Sequence, residues 1–360
     1  MKIAILHDYF DKRGGGERLV LGLAKGLNAD IYTGFVDRKK TFEEISNFKV
    51  TEIAKDIKIQ GLRNAYLMHK FSKLRLTGYE LYIFSGTACI SAVENLKPNL
   101  LYCHTPPRYI YDLHDWFMEN SNLIQKIFLK LLIAYMKPKD QKYMPKFDRI
   151  MVNSMNVKNR LLKYYGKEVY DKDDVVYSLI DLKKFRYKKT GDFYLSFGRL
   201  DKLKRVDMIV NAFQKMPLKK LVVISGGPEL ENIKELARGC LNIEIKGPVS
   251  DYEFFDLLGK CTATIYIPIN EDMGLTPIES NAAGKPCIAA NEGGLKELVI
   301  NNKTGLLIEA AEKEIIKAVN KLTPEKAKKM KPACEKFGRG FSEENFIKKV
   351  KKIIKEMGIK

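Results

Sequence analysis

The sequence predicts an α/β protein built from two successive doubly wound parallel sheets. Three observations carry that expectation. The chain has 360 residues, more than one ordinary domain needs and comfortable for two. Short apolar runs alternate with segments whose apolar residues recur at helical spacing, the pattern of a parallel sheet covered on both faces. The alternation halts at a polar, basic stretch, Lys183–Asp192, and then resumes.

In the first series Lys2–Leu6 reads as a strand, Gly14–Gly16 as a loop and Glu17–Leu27 as a helix. Leu81–Phe84, Leu100–Cys103 and Arg149–Val152 are further strands, and Val157–Tyr165 is an amphipathic helix ended by Gly166. In the second series Phe193–Phe197, Leu221–Ser225, Ile243–Ile245, Ala263–Ile267 and Pro286–Ala289 read as strands. Val206–Lys215, Glu229–Ala237 and the short Ile278–Ala283 read as helices. Ligands of such sheets sit outside the carboxyl ends of the strands, and two such domains facing each other would place a site in the cleft between them.

Composition narrows the function. Hydrophobic residues make up 45% and aromatics 10%, enough for sizeable cores and against general disorder. The formal net charge is +19, which attracts nucleic acid, anionic membrane or phosphorylated ligands without choosing among them. A nucleic-acid binder would cluster its basic residues with aromatics on one face. Here the lysines are spread along the chain, so no nucleic-acid partner is expected. Even the dense Lys348–Lys360 stretch, with six lysines against one glutamate, suits a solvated helix face. The six cysteines form no CxxC pair and read as small buried residues in a reducing compartment. His7, His69 and His114 share no metal-ligand spacing with one another, so no bound zinc is expected. No signal-peptide core and no membrane-spanning run stands out, which predicts a cytoplasmic protein, soluble or membrane-peripheral.

Four segments hold groups suited to chemistry. In Asn270–Gly294, Gly274 follows a strand and a loop, and Thr276-Pro277 then opens a helix carrying Glu279. Free N–H groups at such a start bind phosphate. Glu279, expected in the first turn, either accepts ribose hydroxyls or simply favours a helix start. Glu271, eight residues earlier, lies before the loop. In Phe197–Arg205, Arg199 and Lys204 follow a strand and suit a diphosphate, the arginine as a fork and the lysine as a point charge. An ordinary basic loop is the other reading. Gly14–Gly16 follow the first strand and permit close backbone approach. His104 ends a strand before the stiff Pro106–Pro107 pair, as a ligand-facing or a structural histidine. No nucleophile elbow, Walker loop, HExxH or kinase motif occurs.

These segments together resemble the retaining glycosyltransferases of family GT4, which have the GT-B fold of two Rossmann-like domains. The resemblance rests on GGGER at Gly14–Arg18, GRLDKLK at Gly198–Lys204 and SGGPE at Ser225–Glu229. It also rests on the two glutamates of Glu271–Glu279, on GGLKE at Gly293–Glu297, on Thr304-Gly305, and on FSEENF at Phe341–Phe346. It implies an acceptor-side domain over 1–185, a nucleotide-sugar domain over 186–340 and a helix over 341–360 that crosses back. It further implies that Arg199 and Lys204 hold the donor diphosphate, Glu279 the ribose and Glu271 the transferred sugar. Gly274, Leu275 and Thr276 would offer N–H groups to phosphate, and residues near Gly247–Val249 would line the base pocket. Gly15 and Gly16 would approach the donor from the first domain, and His104 would contact the sugar or assist the acceptor.

HDYF at 7–10, HTPPRYIYDL at 104–113 and Lys204-Arg205 look like the mannosyltransferases of that family. The function implied is retaining transfer of a hexose, mannose from GDP-mannose, to a hydroxyl of a glycan or lipid-linked acceptor, with no cofactor and no obligate metal. The alternatives are a UDP-sugar donor, or a non-catalytic sugar-nucleotide-binding protein. Two departures stand out. Arg205 occupies a position where many members have glycine, and is expected to add charge near the diphosphate. Val175–Asp181 lacks the prolines often found before the interdomain link. The basic, apolar stretch Asn122–Lys146 is either a core helix of the first domain or a surface that meets anionic membrane.

Overall fold

A computed structural model describes residues 1–167, 169 and 174–359. The chain forms two compact units, Met1–Ser178 with Phe346–Lys360, and Leu179–Asn345.

The sheet of the first unit has six parallel strands: β1 (Ile3–His7), β2 (Asp30–Thr33), β3 (Val50–Glu52), β4 (Leu81–Ser85), β5 (Asn99–Cys103) and β6 (Arg149–Val152). Their order is β3-β2-β1-β4-β5-β6. Every residue of β1, β4 and β5 is buried, which is why these strands are continuous apolar runs. In β1, Ile5 lies opposite Ile31 on one side and Ile83 on the other. The helices α1 (Gly15–Leu27), α2 (Gln60–Ser72), α3 (His114–Glu119), α4 (Leu123–Tyr143) and α5 (Met155–Tyr165) join the strands. Asn122 and Gln125 form a capping box at the start of α4. Ser154 caps α5, and Gly166, at φ 85°, ends it where the sequence predicts.

The second unit repeats the scheme with β7 (Phe193–Phe197), β8 (Lys220–Ile224), β9 (Ile243–Gly247), β10 (Thr264–Tyr266), β11 (Cys287–Ala290) and β12 (Gly305–Ile308). Their order is β12-β11-β10-β7-β8-β9. Its helices are α6 (Val206–Gln214), α7 (Leu230–Leu236), α8 (Asp251–Lys260), α9 (Leu275–Ala282), α10 (Leu295–Leu298), α11 (Glu312–Lys321) and α12 (Pro324–Gly338). Each unit has its own hydrophobic core. In both sheets the chain begins at a central strand, builds outward on one side, then returns to build the other. The order therefore reverses between β1 and β4, and between β7 and β10.

Three details differ from the sequence reading. Gly15 and Gly16 are the first turn of α1 rather than loop, with Gly14 as the N-cap. Helix α9 starts at Leu275, because Pro277 is accommodated in its first turn, so Glu279 lies in the second turn. The Lys183–Asp192 stretch belongs to the second unit. Phe185 is buried there, and the N–H groups of Lys188 and Gly191 donate to the carbonyls of Gly259 (2.9 Å) and Lys260 (2.7 Å). The passage between units instead falls at Ser178–Leu179.

The last helix, α13 (Glu343–Glu356), belongs to the first unit from Phe346 onward. Phe346 is buried with its ring 5.9 Å from that of Tyr102. Ile347 fills the space over Gly26 of α1, where any Cβ would collide with it. Phe346→Ala is expected to cost about 3–5 kcal/mol, as deletion of a buried ring does. A urea melt reads this as a lower midpoint; an unchanged midpoint would show that Phe346 does not hold α13 in place.

Candidate active site

The reversal points gather the polar residues. In the second unit Lys204 follows β7, Tyr266 ends β10 and Glu271 follows it. The Lys204 ammonium donates to Glu271 Oε2 at 2.7 Å and to the Tyr266 hydroxyl at 3.0 Å. Burial alone would lower the Lys204 pKa, but Tyr266 and Glu271 outweigh it and hold the value above the usual lysine range. Lys204 therefore stays cationic. Burial, and after it the Glu271 charge, raises the Tyr266 phenol.

Glycines surround this cluster because side chains would not fit. Gly274, the N-cap of α9, has φ 88°, and a Cβ there would lie 3.3 Å from both Glu271 Cγ and Tyr266 Cε1. Gly198, at φ 141°, faces the other edge of the Tyr266 ring. At Gly293, φ 54°, a Cβ would strike the Glu271 carbonyl. Leu275 and Thr276 form the first turn of α9, and Glu279 is buried one turn on. Gly247 ends β9, and its carbonyl accepts the Ser225 N–H at 2.7 Å; Val249 is half-buried beyond it. Arg199 is 67% exposed, and its guanidinium lies 3.9 Å from the Asp201 carboxylate. The structure thus joins Lys204, Glu271 and Gly274 directly, places α9 beside them, and leaves the Arg199 guanidinium in solvent.

In the first unit His7 ends β1, Ser85 ends β4 and His104 follows β5. His104 Nε2 and Ser85 Oγ are hydrogen-bonded at 2.8 Å, and His7 Nδ1 is bonded to the Ser85 carbonyl. Asn153 donates to the His104 carbonyl at 2.9 Å. A Cβ on Gly16 would lie 3.7 Å from the His104 ring, so the start of α1 packs close to His104. Asp8 fixes the loop after β4 by accepting the N–H groups of Thr87 (2.7 Å), Ala88 (2.9 Å) and Cys89 (2.8 Å).

Sequence reasoning passes over Tyr266, Ser85 and Glu292. Tyr266 reads as core inside the apolar run Ala263–Ile267, and only the structure, which ends β10 there, sets its hydroxyl at the site. Glu292 stands directly before the Gly293-Gly294 turn, a position as suggestive as that of Glu271. Arg205 is also not a second phosphate cation standing free: it forms an ion pair with Glu292 at 2.7 Å. Among the described residues no group of three or more His, Cys, Asp or Glu is placed to hold a metal ion. None of their helices is long and apolar enough to cross a membrane.

Residues 180–339 match the family model described as Glycosyl transferases group 1. The chain is 24% identical to the Alpha-1,3/1,6-mannosyltransferase ALG2 of Dictyostelium discoideum, over 99% of this chain and 98% of that protein. It is 27% identical to the Saccharomyces cerevisiae protein of the same name, over 79% of this chain and 69% of that one. Its fold matches the crystal structure of Anabaena Alr3699/HepE in complex with UDP-glucose. The TM-score is 0.74 at 15% identity, covering 99% and 100% of the two chains. Two doubly wound units with strand-end polar clusters, and likeness along the whole chain to transferases of sugars, define a glycosyltransferase of the GT-B fold. The region that matches the group 1 glycosyl transferases, residues 180–339, holds the Gly198–Lys204 and Glu271–Glu279 segments whose motifs resemble family GT4.

Burial, and next to it His7, holds the His104 imidazole down to a pKa of about 4, with Asp8 opposing. A folded-state value below the unfolded one means that the unfolded chain binds the proton more tightly. The stability from neutral His104 is therefore complete above about pH 6.5 and is lost as pH falls from there toward 4. His104→Gln should flatten that part of the stability–pH curve in urea melts; an unchanged slope would assign the acid sensitivity to other groups.

Proposed function

We propose that this enzyme transfers mannose from GDP-mannose to a hydroxyl of a glycan or lipid-linked acceptor, with retention at the anomeric carbon. The observation that carries the site is the Lys204–Glu271–Tyr266 cluster beside the start of α9, at the reversal point of the second sheet. The donor sugar follows from the likeness along the whole chain to the ALG2 mannosyltransferases.

In this reading Lys204 and Arg199 neutralise the diphosphate, and the N–H groups of Gly274, Leu275 and Thr276 add backbone dipoles. Lys204 is already held in place; the exposed Arg199 closes onto the phosphate when the donor arrives. Glu279 accepts the ribose hydroxyls, Glu271 contacts the sugar, and the Gly247–Val249 turn lines the base. His104, kept neutral by burial, offers a ring nitrogen to the sugar or acceptor, with Gly15 and Gly16 leaving room near it. The bond from C1 to the diphosphate oxygen breaks, its electron pair stays on the diphosphate, and the acceptor oxygen bonds to C1. The acceptor proton passes to the departing phosphate oxygen. The transition state is oxocarbenium-like. In this reading no step calls for a metal, since Lys204 stands at the site and Arg199 joins it as the charge develops.

The test is turnover of GDP-mannose, compared with UDP-glucose and UDP-N-acetylglucosamine, by the wild type and by Glu279→Ala and Arg199→Ala. Each variant should lose roughly 100-fold or more in kcat/KM, about the loss on removing one group that stabilises transition-state charge. Near-normal transfer by both would overturn the site, and turnover of UDP sugars alone would overturn the donor.

We also propose that the enzyme works at the cytoplasmic face of a membrane, through α4. Leu123, Ile124, Ile127, Phe128, Leu131 and Tyr135 are all exposed, and at helical spacing they share an arc of about 140°. Met136, Asp140 and Tyr143 are buried on the opposite side. The helix carries five lysines, and its single carboxylate, Asp140, is buried. An apolar stripe flanked by lysines fits an anionic lipid surface. The protein should float with phosphatidylglycerol vesicles, and Ile127→Glu with Leu131→Glu should abolish flotation. Wild-type protein that stays at the bottom of the gradient would sink the idea.

A further inference from the structure

The Lys204 loop and the Glu271 loop are separate in sequence, yet their charged groups meet within 2.7 Å. A third loop holds them. Arg205 Nη1 donates to Glu292 Oε1 at 2.7 Å, and Nη2 to Oε2 at 3.3 Å, so the fork grips both oxygens. The Glu292 Oε2 atom also accepts the backbone N–H of Asn270 at 3.0 Å. One carboxylate thus ties the residue after Lys204 to the residue before Glu271.

Both tied residues have positive φ, 51° for Arg205 and 41° for Asn270. A non-glycine residue in this region is strained and persists where its surroundings over-determine it. The surroundings here are specific. The Ile269 N–H donates to the Leu203 carbonyl at 2.8 Å, and the Gly294 N–H to the Glu271 carbonyl at 2.8 Å. The loops after β7, β10 and β11 therefore close on one another around the Arg205–Glu292 pair.

We infer that Arg205 and Glu292 are positioning residues for sugar transfer, acting as a clamp that holds Lys204 and Glu271 in register. The inference rests on the donor-site reading above. Neither residue needs to touch the donor. The clamp fixes the Lys204 ammonium against charge that grows on the departing diphosphate, so its loss weakens the transition state more than the bound substrate.

The test measures kcat and KM for whichever sugar nucleotide the wild type turns over, together with the thermal midpoint. The variants are Arg205→Gly, Glu292→Gln and the double variant. Glycine accepts φ 51° without strain, so Arg205→Gly removes the side chain and leaves the backbone at ease. Each single variant should lower kcat roughly 10- to 100-fold while donor KM moves far less, as expected when reacting groups are misplaced. The double variant should fall no further than the worse single, since a pair that acts as a unit is not additive. Additive losses, a rise in KM at constant kcat, or activity lost only in step with folded protein would each overturn the clamp alone. A wild type that turns over no sugar nucleotide would overturn the donor-site reading as well.

Discussion

The reversal of strand order beside the first strand of each sheet is the constraint on which the rest depends. A parallel sheet covered on both faces has no polar surface except at its ends. Where neighbouring strands send their connections to opposite faces, a crevice opens at their carboxyl ends. Lys204, Tyr266 and Glu271 occupy that crevice between β7 and β10, and His7 and Ser85 occupy its counterpart between β1 and β4. Glycines line both because helices, loops and rings converge there within van der Waals distance.

Electrostatics then separates the two crevices. In the second unit a buried ammonium is kept charged by a carboxylate and a phenol. In the first a buried imidazole is kept neutral by desolvation and a neighbouring histidine. One suits an anion, the other a hydroxyl. On the proposed donor-site reading, an incoming diphosphate meets a lysine already committed to a carboxylate. It must share or displace that partner, so part of its attraction is spent on exchange rather than gained outright. The high overall charge of the protein acts at longer range, drawing anions toward the crevice before this local exchange begins.

Much of this architecture is legible in the sequence, for physical reasons that also explain the gaps. Strands buried on both faces, such as Ile3–His7 and Leu81–Ser85, announce themselves as apolar runs. The strands β2, β3 and β12 are short, and the sequences DIYT and VTE are too polar to stand out. The paired glutamates of Glu271–Glu279 and the Arg199–Lys204 segment stand out because they follow strands beside glycine turns, at the sheet ends where ligands bind. Tyr266 was hidden because a strand-ending tyrosine looks like core until its hydroxyl partner is known. The Arg205–Glu292 pair lay beyond sequence reasoning, since nothing local to either residue specifies a partner 87 positions away. Helix α4 resisted a single reading because it is apolar on its inner and its outer face alike.

The return of α13 to the first unit has a bearing on how the protein is made. Phe346, Ile347, Val350, Ile353 and Ile354 are buried, and they complete a unit that begins at Met1. On the ribosome they emerge only after the whole stretch from Leu179 to Asn345. The second unit has all its strands and its own core by then, so the domain encoded later is free to finish folding earlier. The first unit meanwhile waits with the surface of α1 around Gly26 uncovered, exposed to chaperones or to a neighbouring chain until its final helix arrives.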